Sequence, residues 1–207
     1  MTLLELEQRT RDAPKPSALA DTADNLVFGE GNGDADLVII GEAPGEDEDA
    51  QGRPFVGRAG QLLDRILESA RIEREDIYIT NILKYRPPNN RNPKPDEILA
   101  SEPLLLEQLK LIRPQIIATL GNFPTQYFAG TKDGITKTRG IWFDWHGVRV
   151  FPMFHPAYLL RNPSREKGSP KWLMWQDVRT LKEALDTLGP KPASSFVLDS
   201  SQQDTLF

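Results

Sequence analysis

Four short apolar runs lie along the chain and alternate with longer stretches in which apolar residues follow helical spacing. The apolar runs cover 37–40, 77–81, 116–120 and 148–153. Short apolar runs bounded by turn residues are typical of strands that are buried on both faces of a parallel sheet. The pattern therefore predicts four parallel strands at the centre of the molecule.

Amphipathic stretches separate these strands and predict helices over 1–12, 60–70, 96–112, 122–129 and 170–188. Pro95 with two acids after it is typical of a helix start, and an apolar stripe that includes Trp172 and Trp175 marks the last helix. Alternating strands and helices predict an α/β fold, with three α/β/α layers around a central, mainly parallel sheet of about four strands. We expect one domain over 1–189 and, because 190–207 is polar and rich in Pro and Ser, a disordered tail.

Composition narrows the classes of function. The N-terminal residues lack the layout of a secretory signal, and no apolar run approaches the length that spans a bilayer, so we expect a cytoplasmic protein. The absence of cysteine excludes disulfides, a thiolate nucleophile and cysteine-bound metal clusters. His146 and His155 are the only histidines, which argues against a histidine-rich metal site. The net charge of −5 argues against a protein that coats nucleic acid without selectivity, but it leaves room for a local basic face.

Three polar segments follow predicted strands, at 41–55, 80–92 and 154–165. Ligands of doubly wound sheets bind beyond the carboxyl ends of the strands, so these segments should meet at one crevice. The first segment, GEAPGEDEDAQGRPF, crowds several carboxylates into one loop. Such a loop is either a solvated acidic helix start or a site that uses its carboxylates, and the sequence favours neither.

The second and third segments are basic within an acidic protein. Lys84, Arg86 and Arg91 in the second are candidates for phosphate contacts, as are Arg161 and Arg165 in the third. Asn81 at a strand end is either a turn residue or a group that pairs with a base.

The third segment also carries a histidine and a group of apolar residues. His155 directly follows a strand, where a histidine is either structural or catalytic. Leu159 and its neighbours Tyr158 and Leu160 either pack against the last helix or, if exposed, form a wedge that enters a base stack.

Together, the three segments resemble motifs of the uracil-DNA glycosylase superfamily, specifically its bacterial and archaeal family-four branch. The matching stretches are GEAPGEDEDAQGRPFVGRAGQLL, ITNILKYRPPNNRNP and HPAYLLRNP, in the family's order and spacing. The resemblance extends from about Val27 to about Leu188.

The resemblance implies an enzyme that flips uracil out of DNA and cleaves its bond to the sugar. Phe55 would stack on the flipped base, Asn81 would pair with its edge and reject cytosine, and the backbone of Ala43 would help to hold it. His155 would hydrogen-bond a uracil carbonyl as negative charge builds on the departing base. These residues together would form the uracil-binding set.

The same resemblance implies a catalytic set of acids. Glu42 would orient water or stabilise the sugar cation, and Glu48 and Asp49 would support it. A carboxylate near the sugar and a donor at the base stabilise the two charges that separate during cleavage of an N-glycosidic bond. We therefore expect a monofunctional glycosylase that acts in base excision repair without a cofactor.

This chain departs from the family at an iron–sulfur cluster that family-four enzymes usually bind through four cysteines. Pro14, Ser17, Tyr85 and Ser101 stand at the approximate ligand positions, so we expect no cluster and expect packing to replace it, with Tyr85 filling the space. A related branch traps uracil covalently through a histidine in the loop after the second motif. The corresponding stretch here, 84–95, contains no histidine, which disfavours a covalent trap.

The chain ends on a short motif with its own implication. Gln203, Leu206 and Phe207 resemble the Gln-x-x-Leu-Phe peptides that bind the bacterial sliding clamp, although a frayed terminus is the alternative. The partners we expect are thus uracil-containing DNA and the clamp, with the protein itself a monomer.

Two other hypotheses compete with an active glycosylase. One is a catalytically silent module that binds DNA or uracil, and the other is a small-molecule α/β hydrolase that uses the acidic loop. The presence of Glu42, Phe55, Asn81 and His155 favours the glycosylase over the silent module, and the basic loops favour it over the hydrolase.

Overall fold

A computed structural model describes residues 1–15 and 25–191, and within them a six-stranded sheet forms the centre of the molecule. Its strands are β1 (Glu30–Gly31), β2 (Leu37–Gly41), β3 (Tyr78–Asn81), β4 (Ile116–Leu120), β5 (Phe143–Trp145) and β6 (Val148–Met153). The spatial order is β1-β3-β2-β4-β6-β5. The inner four strands are parallel and are the four that the apolar runs predict, while β1 and β5 add short antiparallel edges.

Eight α-helices connect and cover the described sheet. They are α1 (Leu3–Asp12), α2 (Glu46–Gln51), α3 (Arg58–Ser69), α4 (Pro95–Ile112), α5 (Asn122–Ala129), α6 (Ile135–Thr138), α7 (Pro156–Arg161) and α8 (Pro170–Asp186). The five predicted helices are all present, and the short α2, α6 and α7 lie in segments that the helical spacing did not single out. Within the described part of the chain, none of these helices is both long and apolar enough to cross a membrane.

Two apolar layers, one on each face of the sheet, hold the fold together. Side chains alternate between the faces along each strand, so Val38 and Ile40 pack in one layer with α1, α4 and α5. Leu37 and Ile39 pack in the other layer with α3 and α8. The inner strands are therefore buried on both sides, which confirms the three-layer prediction.

The last helix differs from its predicted stripe at one position. Trp175 is exposed rather than part of the core, and its ring lies under the guanidinium of Arg179. Met174 is buried in its place, one position earlier along the helix. The rest of the stripe is as predicted, since Val178 and Leu181 are fully buried.

The register of the parallel strands sets where the polar segments begin. Gly41 at the end of β2 lies beside Asn81 at the end of β3, and Leu120 at the end of β4 lies beside Met153 at the end of β6. All four inner strands consequently end at the same edge of the sheet, and the segments that follow them meet there.

Candidate active site

A cleft of about 920 Å³ lies beyond the carboxyl ends of the inner strands. The segments after all four strands line it, together with the loop before α3 and the start of α6. The convergence of 41–55, 80–92 and 154–165 on one crevice is therefore as predicted. The fourth lining segment, which begins at Gly121 after β4, was not singled out in the sequence.

Gly41 is the point at which two of the predicted uracil-binding side chains approach each other. A Cβ at this position would overlap both Oδ1 of Asn81 and the ring of Phe55. Asn81 is 2% exposed and Phe55 6%, so both are held in place by their surroundings. The chain needs glycine here because an amide and an aromatic ring share the space that a side chain would occupy.

The loop that carries Phe55 is held in an unusual conformation. Phe55 has φ of 53°, in the left-handed region that non-glycine residues rarely adopt. Arg74 donates to the carbonyl of Pro54 at 2.8 Å, and Glu48 accepts from the backbone N–H groups of Val56 at 2.9 Å and Gly57 at 2.8 Å. Strained backbone of this kind persists only where neighbours enforce it, and it is frequent at functional sites.

Glu48 and Asp49 take different places, although the sequence suggests one supporting role for both. Glu48 lines the cleft and also accepts from the N–H of Gly45, so it ties the start of α2 to the loop of Phe55. Asp49 is not among the residues that line the cleft, and its side chain accepts from the backbone N–H of Asn25. Asp49 thus anchors the segment that precedes β1, and its supporting catalytic role stays a prediction.

Glu42 is a half-buried carboxyl group. It follows β2 and lines the cleft, and burial raises its pKa to about 7. Among the described residues, none donates a hydrogen bond to the carboxyl group of Glu42 and none forms an ion pair with it. A partly enclosed carboxylate without a fixed partner is suited to interact with a bound molecule, because desolvation strengthens its field.

His155 also faces the cleft, as the residue before α7. Its Nδ1 accepts from the backbone N–H of Ala157 at 3.2 Å, so the proton of the neutral ring resides on Nε2. Burial, with a smaller contribution from Arg161, lowers the pKa of His155 to about 4. The ring therefore presents a neutral N–H donor at physiological pH, with its centroid 5.8 Å from that of Phe55.

Four arginines predicted to contact DNA lie in the segments that follow β3 and β6, and Arg161 is the last residue of α7. Arg86 forms an ion pair with Glu46, and its Nε donates to the side chain of Asn90. Arg91 forms a bidentate ion pair with the buried Glu97. Arg161 and Arg165 are exposed, and Arg91 and Arg161 line the cleft itself.

Lys84 does not join these arginines. Its side chain is 1% exposed, and Nζ donates to Oγ1 of Thr80 at 2.6 Å and to the carbonyl of Asn81 at 2.7 Å. An amine enclosed in this way does not reach a phosphate on the surface. The predicted DNA contact of Lys84 is therefore wrong.

Leu159 likewise departs from its prediction. It is 1% exposed and packs in the apolar layer that α3 and α8 share, because it lies on the inner side of α7. Tyr158 and Leu160, on either side of it, remain partly exposed. The prediction of Leu159 as an exposed wedge is wrong, and the alternative of core packing holds.

Several lining residues were missed in the sequence. Asn122 and Phe123 at the start of α5 face the cleft, and Oδ1 of Asn122 accepts from the N–H of Ile135 at 2.7 Å, which brings α6 to the rim. Asn122 could have been predicted from the sequence, because it lies two residues after the end of β4, and the three predicted polar segments also follow strands. Ile135 had no comparable signal, since only the tertiary fold places it there.

The positions at which the family resemblance expects cluster ligands do not fit an iron–sulfur cluster. Tyr85 is buried in the same apolar layer as Leu6, Ser101 is buried on α4, and Pro14 offers no metal-binding side chain; Ser17 lies outside the described residues. A phenol and a hydroxyl do not supply the thiolates that such clusters require. Among the residues described, no group of His, Asp and Glu side chains is arranged to hold a metal ion.

Packing and an ion pair hold this region instead. Leu6 of α1 is fully buried, and Arg9 pairs with Glu107 on α4. Tyr85 shares the layer with both helices. Tyr85 is therefore buried among apolar side chains, and the replacement of the cluster by packing stays a prediction.

Comparison with known proteins gives a consistent result. The family model of the uracil DNA glycosylase superfamily matches residues 28–179. The type-4 uracil-DNA glycosylase of Thermotoga maritima is 53% identical over 144 residues, which cover 69% of this chain and 75% of that protein. The type-4 enzyme of Saccharolobus solfataricus is 46% identical, with 79% of this chain and 77% of that protein covered.

A third relative extends the same pattern. The type-4 uracil-DNA glycosylase of Sulfurisphaera tokodaii is 43% identical over 77% of this chain and 74% of that protein. The matched residues of the family model include every segment that lines the cleft. The chain belongs to the uracil DNA glycosylase superfamily, in the branch of the type-4 enzymes.

Proposed function

We propose that this protein removes uracil from DNA by hydrolysing the N-glycosidic bond, which leaves an abasic site for base excision repair. The observation that carries the proposal is that a partly enclosed carboxylate, Glu42, and a neutral imidazole donor, His155, both line the same cleft. Glycosidic cleavage separates charge between sugar and base, and these two groups match the two ends of that separation.

The slot for the base is formed by Phe55, Asn81 and the backbone near Ala43. Duplex DNA hides the glycosidic bond, so the uracil must leave the stack before it enters this slot. The ring of Phe55 provides a stacking surface, and the amide of Asn81 provides one donor and one acceptor for the uracil edge. These residues thus bind the base, and Glu42 acts at the sugar.

The proposed reaction breaks one bond and leaves opposite charges on the sugar and the base. The bond between C1′ of the sugar and N1 of uracil breaks, and its electron pair stays with uracil. The Nε2–H of His155 donates to a uracil carbonyl as negative charge reaches it, and a neutral donor of this kind avoids the cost of a buried cation. The carboxylate of Glu42 stabilises the positive sugar and accepts a proton from the water whose oxygen bonds to C1′.

The DNA strand follows the basic side of the cleft. Arg86, Arg91, Arg161 and Arg165 are the candidates for phosphate contacts, and Lys84 is withdrawn from this set. Phosphate contacts position the strand without reading its sequence, which suits an enzyme that must find uracil in any context.

The proposal is tested with purified protein and a labelled oligonucleotide that contains one uracil. Strand breaks that appear at uracil only after alkali indicate a monofunctional glycosylase, and Glu42→Ala, Asn81→Ala and His155→Ala should each reduce them strongly. A cytosine oligonucleotide is the substrate control. A folded wild-type protein that binds the DNA but yields no alkali-sensitive site contradicts the proposal and points to the silent binding module.

We further propose that the protein works as a monomer in the cytoplasm and binds the sliding clamp through Gln203, Leu206 and Phe207. These three residues lie outside the described part of the chain, so the support is the sequence motif alone. A chain truncated after residue 202 should lose affinity for the clamp and keep its excision rate on short oligonucleotides. Equal clamp affinity of the two chains would refute this part.

A further inference from the structure

Lys84 is buried at the end of the turn that carries Asn81. We propose that Lys84 is a positioning residue that fixes the orientation of the Asn81 side-chain amide. In this orientation the amide pairs with uracil and rejects cytosine. The inference rests on the proposed glycosylase activity and identifies what sets its specificity.

A short relay of hydrogen bonds connects Lys84 to the body of the protein. Nζ donates to the main-chain carbonyl of Asn81 at 2.7 Å and to Oγ1 of Thr80 at 2.6 Å. The hydroxyl of Thr80 in turn donates to the carbonyl of Phe28 at 2.9 Å, so its oxygen is free to accept from Lys84. Both residues at the end of β3 are thereby tied to one amine.

The protonation state of Lys84 agrees with this arrangement. Burial lowers the pKa of Lys84 well below its usual value, and none of the ion pairs in the described residues includes it. The two contacts provide two acceptors for the buried amine. This geometry makes Lys84 a fixed structural donor.

The turn after β3 also hydrogen-bonds the residues at the end of β2. The N–H of Ile82 donates to the carbonyl of Gly41 at 2.9 Å, and the N–H of Leu83 donates to the carbonyl of Glu42 at 3.1 Å. Lys84 adds a further hydrogen bond within this turn, from its Nζ to the main-chain carbonyl of Asn81. A shift of this turn would consequently change the position of Asn81 relative to both Gly41 and Glu42.

The orientation of the amide decides which base fits. Uracil offers an N3–H donor and an O4 acceptor, and cytosine offers an N3 acceptor and an amino donor at the same edge. An amide that rotates by 180° exchanges its donor with its acceptor, so a loose Asn81 would match either base. Oδ1 of Asn81 lies in the space left by the missing side chain of Gly41, which accepts the amide only while the turn stays in place.

The test measures single-turnover excision with Lys84→Met, which keeps most of the buried volume and removes the donor. We expect kcat/KM on uracil DNA to fall about 10-fold to 100-fold, as for a misplaced binding group. We also expect the affinity for free uracil, measured by competition, to fall in parallel and the ratio of uracil to cytosine excision to decrease. In an Asn81→Ala background, Lys84→Met should have almost no further effect on uracil binding, because the side chain that Lys84 positions through the main chain is then absent.

A matched control separates this role from general stability. Lys191 also holds backbone carbonyls, those of Asp34, Ala35 and Ile112, but at the opposite end of the sheet. Lys191→Met should lower the melting temperature without changing uracil affinity or base discrimination. If Lys84→Met does not fold, Thr80→Val removes one of the two acceptors and should cause a smaller loss in the same direction.

The outcomes distinguish this inference from the proposed function. A wild-type protein without excision refutes the glycosylase itself. Wild-type excision together with unchanged uracil affinity and discrimination in Lys84→Met or Thr80→Val overturns the positioning role alone. Additive effects of Lys84→Met and Asn81→Ala overturn it as well, since they would mean that Lys84 acts elsewhere.

Discussion

The raised pKa of Glu42 predicts how the activity depends on pH. In the proposed mechanism, the ionised carboxylate stabilises the sugar and accepts a proton from water. Burial raises the pKa of this group to about 7, so acid removes the active form well above the pH at which an ordinary glutamate would be protonated. Activity should therefore be high above neutrality and fall as the pH decreases through 7.

The size of the effect follows from the titration of one group. Below pH 7, kcat/KM should decrease about tenfold for each pH unit, which corresponds to about 1.4 kcal/mol of transition-state stabilisation per unit. The pKa of His155, lowered to about 4, keeps its imidazole neutral across this range. The profile between pH 5 and 9 should thus have one limb with a slope of one and a plateau.

The assay is single-turnover excision from a uracil oligonucleotide at constant ionic strength, with product revealed by alkali. Glu42→Gln cannot ionise, so its residual rate should be about 10²-fold to 10⁴-fold lower and independent of pH over the same range. A wild-type rate that stays level from pH 5 to 8 would exclude the ionised Glu42 carboxylate from the reaction. So would a Glu42→Gln variant that keeps the acid limb, because another group would then be responsible.

Three further predictions follow from the burial and charge of single residues. The pKa of Glu42 in the folded protein lies above its ordinary value of 4.5, so its neutral form contributes fully to stability below pH 4.5, and this contribution is lost as the pH rises through about 7. Glu42→Gln should consequently be more stable than wild type at pH 8, by at most about 3 kcal/mol in chemical denaturation. Equal stability of the two proteins would contradict the prediction. Leu159→Ala should destabilise the fold by about 2–5 kcal/mol in the same measurement because it opens a cavity in the core, whereas an exposed wedge would lose almost no stability. Arg161→Gln should weaken binding of uracil-containing and unmodified DNA alike and reduce the slope of log affinity against log salt by about 1; an unchanged slope would remove Arg161 from the phosphate contacts.

The inner sheet and the place of the cleft were predictable because they depend on strong local patterns. Apolar runs such as 116–120 are long enough to identify buried strands, and parallel strands end at one edge regardless of loop detail. The edge strands were not predictable. Glu30–Gly31 has two residues and no apolar pattern, so only pairing with β3 makes it a strand.

The errors at the site arise where a side chain's type disagrees with its surroundings. A lysine in a basic loop is exposed in most proteins, but Lys84 follows Ile82 and Leu83 into the core and finds two acceptors there. The direction in which Asp49 points was equally invisible in the sequence, because adjacent residues on a helix face different neighbours. Tertiary contacts alone separate Glu48, which lines the cleft, from Asp49, which does not.

The most direct test of the central claim is to measure the release of free uracil. DNA that carries labelled uracil is incubated with an excess of the full-length protein, and the products are separated by chromatography. We expect one equivalent of free uracil for each abasic site, no base released from cytosine DNA, and no label attached to the protein. Uracil that stays in DNA bound by the folded protein would contradict glycosylase activity and identify a silent binding module instead.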